Sequence, residues 1–511
     1  MPLPAARLVA LSALVGLLLS APAPALASAP SPDPTAATSA AAGVAAGAPL
    51  RPSGSGTEPA EAAQPAAAAV AGAEPDAARP ADDDTATSPL AAVTAAVRAR
   101  DARRSGYTGR GIDVAVLDSG VVPVDGLRAP GKVVHGPDLS FDSGSSATRH
   151  LDAYGHGTHM AGIVAGRDDS DDSDGFTGVA PGARVVSVKV ADATGATDVS
   201  QVIAGLDWLV EHGDDGDLDV RVVNLSFGTG GVQDYRLDPL AHAVERAWHA
   251  GIVVVVAAGN QGLGTALNDP AYDPYVLAVG GSDSRGTTRP DDDVVASWSS
   301  RGDASRHPDL VAPGQSVVSL RSPGSSLDTE HPGARLHGRF FRGSGTSQAT
   351  AVVSGGVALL LQQRPDLTPD QVKALLTASA RHLPLADELG QGAGLLDVRA
   401  ALATATPTDA RQDWPRAQGT GLLELARGHL RVSLDGVPLV GERSVLGAAW
   451  SPPATLESAT WAGGGWQAGR WTGGSWRGNS WTGNSWTGNS WTGNSWTGNS
   501  WTGNSWTAEG Q

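Results

Sequence analysis

Cysteine is absent from the 511-residue chain. Its absence excludes disulfide bonds, a thiol nucleophile and metal sites built from thiolates. Positive charge is also scarce, because 36 Lys and Arg stand against 53 Asp and Glu and leave a net charge of −17. A chain this acidic is a poor candidate for binding nucleic acid or an anionic membrane surface, so we expect neither partner. Aromatic residues are few, yet 15 of them are Trp.

Small and apolar residues dominate the first 90 positions. Arg7, the apolar run at 8–20 and the small residues around Ala27 are typical of a secretory signal, so we expect a signal peptide over residues 1–29. The run is too short to span a bilayer as a mature helix, and no membrane span is expected after signal removal. Residues 30–90, rich in Ala and Pro, are predicted to be disordered, as either a spacer or a pro-segment.

Residues 91–405 have the composition of a globular domain. Short Val-rich apolar runs are typical of buried parallel strands, and they lie at Ile112–Leu117, Val185–Val190, Val220–Leu225 and Ile252–Ala258. Helical patterns lie between them at Val199–Glu211 and Asp238–Ala250. This alternation predicts an α/β fold, with a doubly wound, mostly parallel sheet and helices on both faces.

The C-terminal region divides into two parts. Residues 406–460 contain short β-like pieces between turn residues, which predict either a linker or a small β module. Residues 461–511 form a β-like, low-complexity repeat in which Trp recurs every five residues, mostly as Trp-Thr-Gly-Asn-Ser. Trp rings can stack on sugars, so one interpretation of the repeats is attachment to cell-wall polysaccharide. The other, which we prefer, is a self-packed cap or spacer.

Reactive side chains stand at the ends of predicted elements. Asp118 ends a buried strand, His156 begins a helix of small residues, and Ser347 lies where a Gly-rich turn enters an apolar helix. A Ser hydroxyl needs a base within hydrogen-bond range, and a base His needs an acceptor on its other ring nitrogen. Asn260, which follows a buried strand and Gly259, offers an amide donor for an oxyanion.

These segments, in the chain order Asp, His, Ser, resemble the subtilisin-like serine protease (subtilase) family. The resemblance extends from Gly106 to Thr377, and the chain is similar to secreted actinobacterial members with Trp-rich C-terminal repeats. It implies a subtilisin-like fold and a secreted serine endopeptidase that cleaves polypeptides through an acyl-enzyme intermediate, located outside the cell or at its wall. The resemblance further implies that Asp118 orients the general base His156. It also implies that Ser347 is the nucleophile and that Asn260 stabilises the oxyanion.

The same resemblance implies a substrate site. Ser226, Phe227 and Gly228 would pair with the substrate as an added β-strand, and Ala258 and Gly259 would form one wall of the first specificity pocket. The base of that pocket is expected near Asn268, and the preferred side chain stays open. The chemistry requires no cofactor.

Two positions beside the nucleophile depart from the family pattern. Gln348 stands where Met usually follows the serine, and Ala351 stands where Pro is usual. A thioether next to the nucleophile could be oxidised to a bulky polar sulfoxide, so Gln348 predicts resistance to peroxide.

An acidic loop follows the His156 helix, where many members of the family carry a calcium-binding loop. Calcium prefers carboxylate and carbonyl oxygens, and the loop supplies the carboxylates of Asp168, Asp169, Asp171, Asp172 and Asp174. A structural calcium site and a solvated acidic loop are both open. Two other functions also compete with the endopeptidase: a catalytically impaired, protease-like cell-wall adhesin acting through the Trp repeats, and an esterase on the same fold.

Overall fold

The structure is a computed structural model that describes residues 89–168, 175–231, 233–264, 266–287, 289–434, 437–445, 449–450, 466–467 and 470–471. The chain divides into two units, Met1–Asp76 and Ala77–Gln511, and all described residues belong to the second. The predicted signal peptide, nearly all of the N-terminal spacer and most of the Trp repeats lie outside them. None of the helices in this part of the chain has the length and apolar character that crossing a membrane requires.

The helices of the described residues are α1 Ala91–Ala96, α2 Ala99–Arg104, α3 His156–Ala165, α4 Val199–His212, α5 Pro239–His249, α6 Ser326–Glu330, α7 Thr346–Gln363, α8 Pro369–Ser379, α9 Glu388–Gln391, α10 Val398–Ala403 and α11 Leu423–Arg427. The strands are β1 Asp113–Asp118, β2 Val133–Asp138, β3 Arg184–Lys189, β4 Val220–Leu225, β5 Val253–Ala257, β6 Leu277–Asp283, β7 Val294–Val295, β8 Leu310–Pro313, β9 Val317–Leu320, β10 Arg335–Leu336, β11 Phe340–Gly343, β12 Ser433–Leu434, β13 Val437–Pro438, β14 Trp466–Gln467 and β15 Arg470–Trp471.

The main sheet has the strand order β14-β15-β2-β3-β1-β4-β5-β6-β7, and β8 also pairs with β6. Its pairs from β15 through β6, and the β6–β8 pair, are parallel, whereas β14–β15 and β6–β7 are antiparallel. Helices cover the sheet: α3 packs on α7 and β1, α7 on β4 to β6, and α4 on α5 and β1. The predicted mostly parallel α/β sheet with flanking helices is therefore confirmed.

Among the strands of the main sheet that have no counterpart in the predicted runs are β2 and β6. Strand β6 contains Gly280 and Gly281, and β2 contains Gly136 followed by Pro137. Glycine and proline weaken a strand pattern in the sequence. In the structure the missing side chain has a use, because a Cβ atom on Gly281 would lie 2.3 Å from the Trp298 ring.

Polar caps fix where the helices of the sheet layers begin. Asp198 and Gln201 form a capping box at the start of α4, since the Asp198 side chain accepts from helix backbone N–H groups while Gln201 reaches back to the Asp198 backbone. Asp238 caps α5 by accepting from the backbone of Leu240 and Ala241. These caps satisfy N–H groups that a helix start otherwise leaves without a partner.

The described residues between 413 and 450, which we call the C-terminal extension, pack against the α/β domain. The extension contains α11 and the antiparallel pair β12–β13. Arg427 at the end of α11 is fully buried, and its Nε donates to Asp198 Oδ2 at 2.6 Å. Its other guanidinium nitrogens donate to the carbonyl oxygens of Gly441 and Arg443. One side chain thus joins α4 to two parts of the extension.

Removal of this buried cation is expected to destabilise the fold. Arg427→Met leaves the Asp198 carboxylate buried without its counter-charge, which typically lowers the free energy of unfolding by about 3–5 kcal/mol. Chemical denaturation monitored by Trp fluorescence measures the change. Arg104→Met, which removes an exposed ion pair with Asp101, is the control and should change stability little. Equal effects of the two substitutions would contradict this prediction.

Candidate active site

Asp118 and His156 form a hydrogen-bonded pair inside the protein. Asp118 is the last residue of β1 and His156 the first of α3. His156 Nδ1 lies 2.9 Å from Asp118 Oδ2 and 3.0 Å from Oδ1, and both side chains are fully buried. Because an ionised carboxylate only accepts hydrogen bonds, the proton lies on Nδ1, which leaves Nε2 as the basic nitrogen.

The pKa of Asp118 is raised by burial, although the charge and hydrogen bond of His156 and the Ser119 backbone N–H oppose the shift. A buried carboxylate in this position gains most from a positive partner, since the local dielectric is low.

Two neighbouring side chains, those of Asp152 and Ser119, hold the first turn of α3 against β1. Asp152 accepts from the backbone N–H of Thr158 at 2.7 Å and from the Ser119 hydroxyl at 2.8 Å. The same hydroxyl accepts from the backbone N–H of Gly157 at 3.0 Å. A Cβ atom on Gly157 would lie 2.2 Å from the Gly120 carbonyl oxygen, so a larger residue would push the helix away from Asp118.

Ser347 is the second residue of α7, the 18-residue helix that packs against α3. Its hydroxyl lies 3.4 Å from the carbonyl oxygen of Ser226, and the Ser226 hydroxyl donates to the Ser347 carbonyl oxygen at 3.2 Å. Asn224 donates to the Ser226 hydroxyl at 3.0 Å and accepts at 3.0 Å from Ser354, which lies about two turns further along α7. The end of β4 is thereby fastened to the start of α7. The helix N-terminus also places partial positive charge beside the Ser347 hydroxyl.

Asn260 lies beside the same helix start. Its Oδ1 accepts from the backbone N–H of Thr346 at 2.8 Å and from the Thr346 hydroxyl at 2.9 Å. Because a backbone N–H can only donate, the amide oxygen must face α7. The Nδ2 group is then the end of the side chain that remains for a negatively charged ligand oxygen. Gly259, with φ of +113°, provides the turn that brings Asn260 out of β5.

The residues predicted to bind substrate lie around Asn268. A Cβ atom on Gly228 would lie 2.8 Å from the Asn268 Cβ, and one on Gly259 would lie 2.8 Å from the Asn268 amide. The Asn268 backbone N–H also donates to the Ala258 carbonyl oxygen at 3.1 Å. Ser226, Phe227 and Ala258 are buried. The two glycines therefore make room for the Asn268 side chain between them.

His159 also lies in α3, one turn after His156, and is fully buried. Burial, together with the charge of His156, lowers the pKa of His159 to about 3. The ring is therefore neutral over the ordinary pH range. Its backbone carbonyl accepts from the Ser319 hydroxyl at 2.8 Å, which ties α3 to β9.

Asp168 is the one member of the predicted calcium loop that lies in the described part of the chain. Arg339 donates to both of its carboxylate oxygens, at 2.7 and 3.0 Å. Burial acts to raise the pKa of Asp168, but the hydrogen bonds from Arg339 and the Phe176 backbone outweigh it and the pKa is lowered. Asp169, Asp171, Asp172 and Asp174 lie outside the described residues. Within the residues described, no group of three or more His, Asp or Glu is arranged to hold a metal ion.

Several residues that support this site were not assigned a role from the sequence. Asp152 could have been found, since an Asp shortly before a helix start is a common capping residue. Ser119 and Asn224 carried no such signal, because their partners are distant in the chain and a short polar residue at a strand end has many uses. These supporting residues come together only when the chain folds, because their partners are distant in the sequence.

A family model described as the Subtilase family matches residues 109–421 of this chain. The match contains Asp118, His156, Asn260 and Ser347, together with the residues predicted to bind substrate. Residues 422–450 of the C-terminal extension lie beyond it.

The chain is also similar to three curated proteins. Serine protease AprX of Bacillus subtilis (strain 168) is 40% identical over 296 residues, which cover 56% of this chain and 65% of that protein. Minor extracellular protease Epr of the same strain is 30% identical over 329 residues, covering 63% and 43%. Subtilisin DY of Bacillus licheniformis is 33% identical over 310 residues, covering 60% and 96%. The chain thus spans less than two thirds of AprX and of Epr, and nearly all of subtilisin DY.

Proposed function

Because this chain belongs to the Subtilase family, we propose that it is a serine-type endopeptidase in which Asp118, His156 and Ser347 carry the reaction. One observation supports this above the others. The buried His156–Asp118 pair, joined at 2.9 Å, stands at the start of α3, and α3 packs on the helix whose first turn holds Ser347. The relatives named as a serine protease and as a subtilisin support the same reaction class.

The proposed reaction follows from the roles that these groups can take. Ser347 Oγ attacks the carbonyl carbon of the peptide bond while His156 Nε2 accepts its proton, and Asp118 stabilises the imidazolium that forms. His156 then gives the proton to the leaving amine, and the acyl group stays on Ser347. A water molecule activated by His156 releases the acid product. The proposed chemistry uses side chains and water and needs no cofactor.

Charge on the substrate oxygen requires its own donors. The Nδ2 group of Asn260 and the backbone N–H groups at the start of α7 are the proposed donors. The contact between the Asn260 oxygen and Thr346 holds the amide before substrate arrives, so little reorganisation is needed as charge develops. Fixed donors of this kind stabilise the transition state more than the ground state.

Polypeptides are the proposed substrates, bound along Ser226, Phe227 and Gly228 by backbone hydrogen bonds. Ala258 and Gly259 are proposed to line the first pocket, with Asn268 at its base. The signal-like start of the chain and the relative named as an extracellular protease support a secreted protein. Cell-wall attachment through the Trp repeats stays a prediction from the sequence, and so does the calcium loop.

Covalent labelling tests the proposed function. A fluorophosphonate probe should modify the protein at Ser347, and casein should be cleaved, because both reactions need an activated serine hydroxyl. Ser347→Ala should lose both. Ser344→Ala, three residues earlier, is the matched control and should keep both. Casein cleavage by Ser347→Ala at the parental rate would refute the proposal. An unlabelled parent protein would favour the adhesin, and cleavage of a chromogenic ester without casein would favour the esterase.

The proposed oxyanion role predicts a loss in turnover. Asn260→Ala should lower kcat roughly 10²- to 10³-fold with a much smaller change in KM, since the donor acts mainly in the transition state. Kinetics on a chromogenic peptide measure both constants, and thermal unfolding verifies that the variant is folded. An unchanged kcat in a folded variant would exclude Asn260 from this role.

Oxidation provides a third prediction. Gln348 is fully buried directly after Ser347, and its amide atoms have no hydrogen-bond partner in the described part of the chain. We expect the parent enzyme to keep its activity in mild peroxide, whereas Gln348→Met should lose most of it as a sulfoxide forms beside the nucleophile. Met160 is buried in α3 and could also be oxidised. Met160→Leu in the parent enzyme is therefore the control for oxidation at that position. Rapid inactivation of the parent that Met160→Leu does not prevent would contradict the role given to position 348.

A further inference from the structure

The segment proposed to bind substrate is held directly after its last residue. Thr229 follows Gly228 and is fully buried. Its backbone exchanges two hydrogen bonds with the backbone of Asp269, at 2.8 and 2.9 Å. Its hydroxyl donates to the carbonyl oxygen of Ala426, in α11 of the C-terminal extension. Thr229 therefore connects the proposed substrate segment to Asp269, next to Asn268, on one side and to the extension on the other.

The extension also contacts the residues that follow Thr229. Gln233 pairs with the Leu422 backbone in both directions, accepting from its N–H at 3.0 Å and donating to its carbonyl oxygen at 2.8 Å. Gly428 lies against Gly230, so closely that a Cβ atom on Gly428 would be 2.5 Å from the Gly230 carbonyl carbon. These contacts hold Thr229, Gly230 and Gln233, which follow β4 outside any helix or strand.

The extension is also bound to the start of α4, which fixes the position of α11 and of its contacts with Thr229 and Gln233. Arg427 joins α11 to Asp198 at the start of α4. Burial alone would lower the pKa of Arg427, but the charges of Asp198 and Glu424 outweigh it and raise the pKa. Glu442 caps α11 by accepting from the backbone N–H groups of Leu423 and Glu424, at 2.9 and 3.1 Å. The cation is therefore permanently charged and the short helix cannot shift without breaking buried bonds.

We propose that the C-terminal extension is a clamp that holds the substrate-binding segment extended, and that Thr229 is the positioning residue through which it acts. The inference rests on the proposed function, because it assigns the segment 226–228 to substrate. A peptide that adds as a β-strand must meet backbone groups already in line, and any ordering of the segment on binding would weaken affinity. Residues 422–450, which include α11, lie beyond the family match.

Kinetics of two isosteric or near-isosteric variants provide the first arm of the test. Thr229→Val keeps the shape but removes the hydroxyl, whereas Thr229→Ser keeps the hydroxyl. For peptides long enough to pair along 226–228, Thr229→Val should raise KM roughly 2- to 10-fold, the effect of one lost hydrogen bond. Its kcat and its labelling rate with a small fluorophosphonate, which does not pair along the segment, should stay near the parental values. Thr229→Ser, which keeps the hydroxyl, should have a KM close to the parental value.

Hydrogen exchange provides a second arm that does not depend on catalysis. In a Ser347→Ala background, backbone amides of 226–233 should exchange faster in Thr229→Val than in Thr229→Ser, while those of the β4 core stay unchanged. This comparison detects the clamp even if the proposed triad were wrong. Unchanged exchange at 226–233 in Thr229→Val would overturn the proposal. An equal loss of peptide hydrolysis and of labelling would also overturn it, since that pattern indicates general damage instead of positioning.

Discussion

The burial of α7 is the constraint on which the site depends. Every residue from Thr346 to Leu361 is buried, so this helix has no solvent face and its position is fixed by contacts on all sides. It packs on α3 and on β4, β5, β6 and β8. The strands β4 and β5, which lead to Ser226 and Asn260, and the helix that begins at His156 are therefore all positioned against one buried helix. Small residues make the fit possible: a Cβ atom on Gly355 would lie 2.5 Å from Val179.

A site buried in this way needs polar groups that satisfy one another. Asp152 and Ser119 satisfy the first N–H groups of α3, while Asn224, Ser226 and Ser354 form a chain of hydrogen bonds between β4 and α7. Such bonds are strong in a low-dielectric interior and costly to leave unmade. The proposed reactive side chains are thus held by hydrogen-bonded neighbours, and of these only Ser226 is also proposed to bind substrate.

The sequence predicted the strands and helices that have a strong local residue pattern. β4 lies where the Val-rich run predicted it, β1, β3 and β5 differ by one residue at their ends, and α4 begins at the predicted Val199. Strong local signals cause this agreement, since a run of Val forms a buried strand almost wherever it occurs. β2 and β6 were missed because their glycines are explained only by neighbours such as Trp298. The reactive residues could be proposed in advance because they stand at element ends, whereas their supporting partners are distant in sequence.

The extension shows most clearly what sequence patterns leave out. Arg427 has no local feature that distinguishes it from an exposed arginine, and its burial follows from Asp198, more than 200 positions earlier. A second set of buried charged residues, Asp269 and Asp273, lies next to Thr229 and was likewise not predicted from the sequence. Burial and neighbouring carboxyl groups raise the pKa of Asp269 and Asp273 well above the ordinary range. Protonated carboxyl groups can share hydrogen bonds with ionised ones where two charges would repel. The extension adds a donor to this acidic region, because the backbone N–H of Ala417 bonds to Glu245 at 2.8 Å. The extension therefore contacts this part of the fold at two places, the Thr229 hydroxyl and the Glu245 carboxylate.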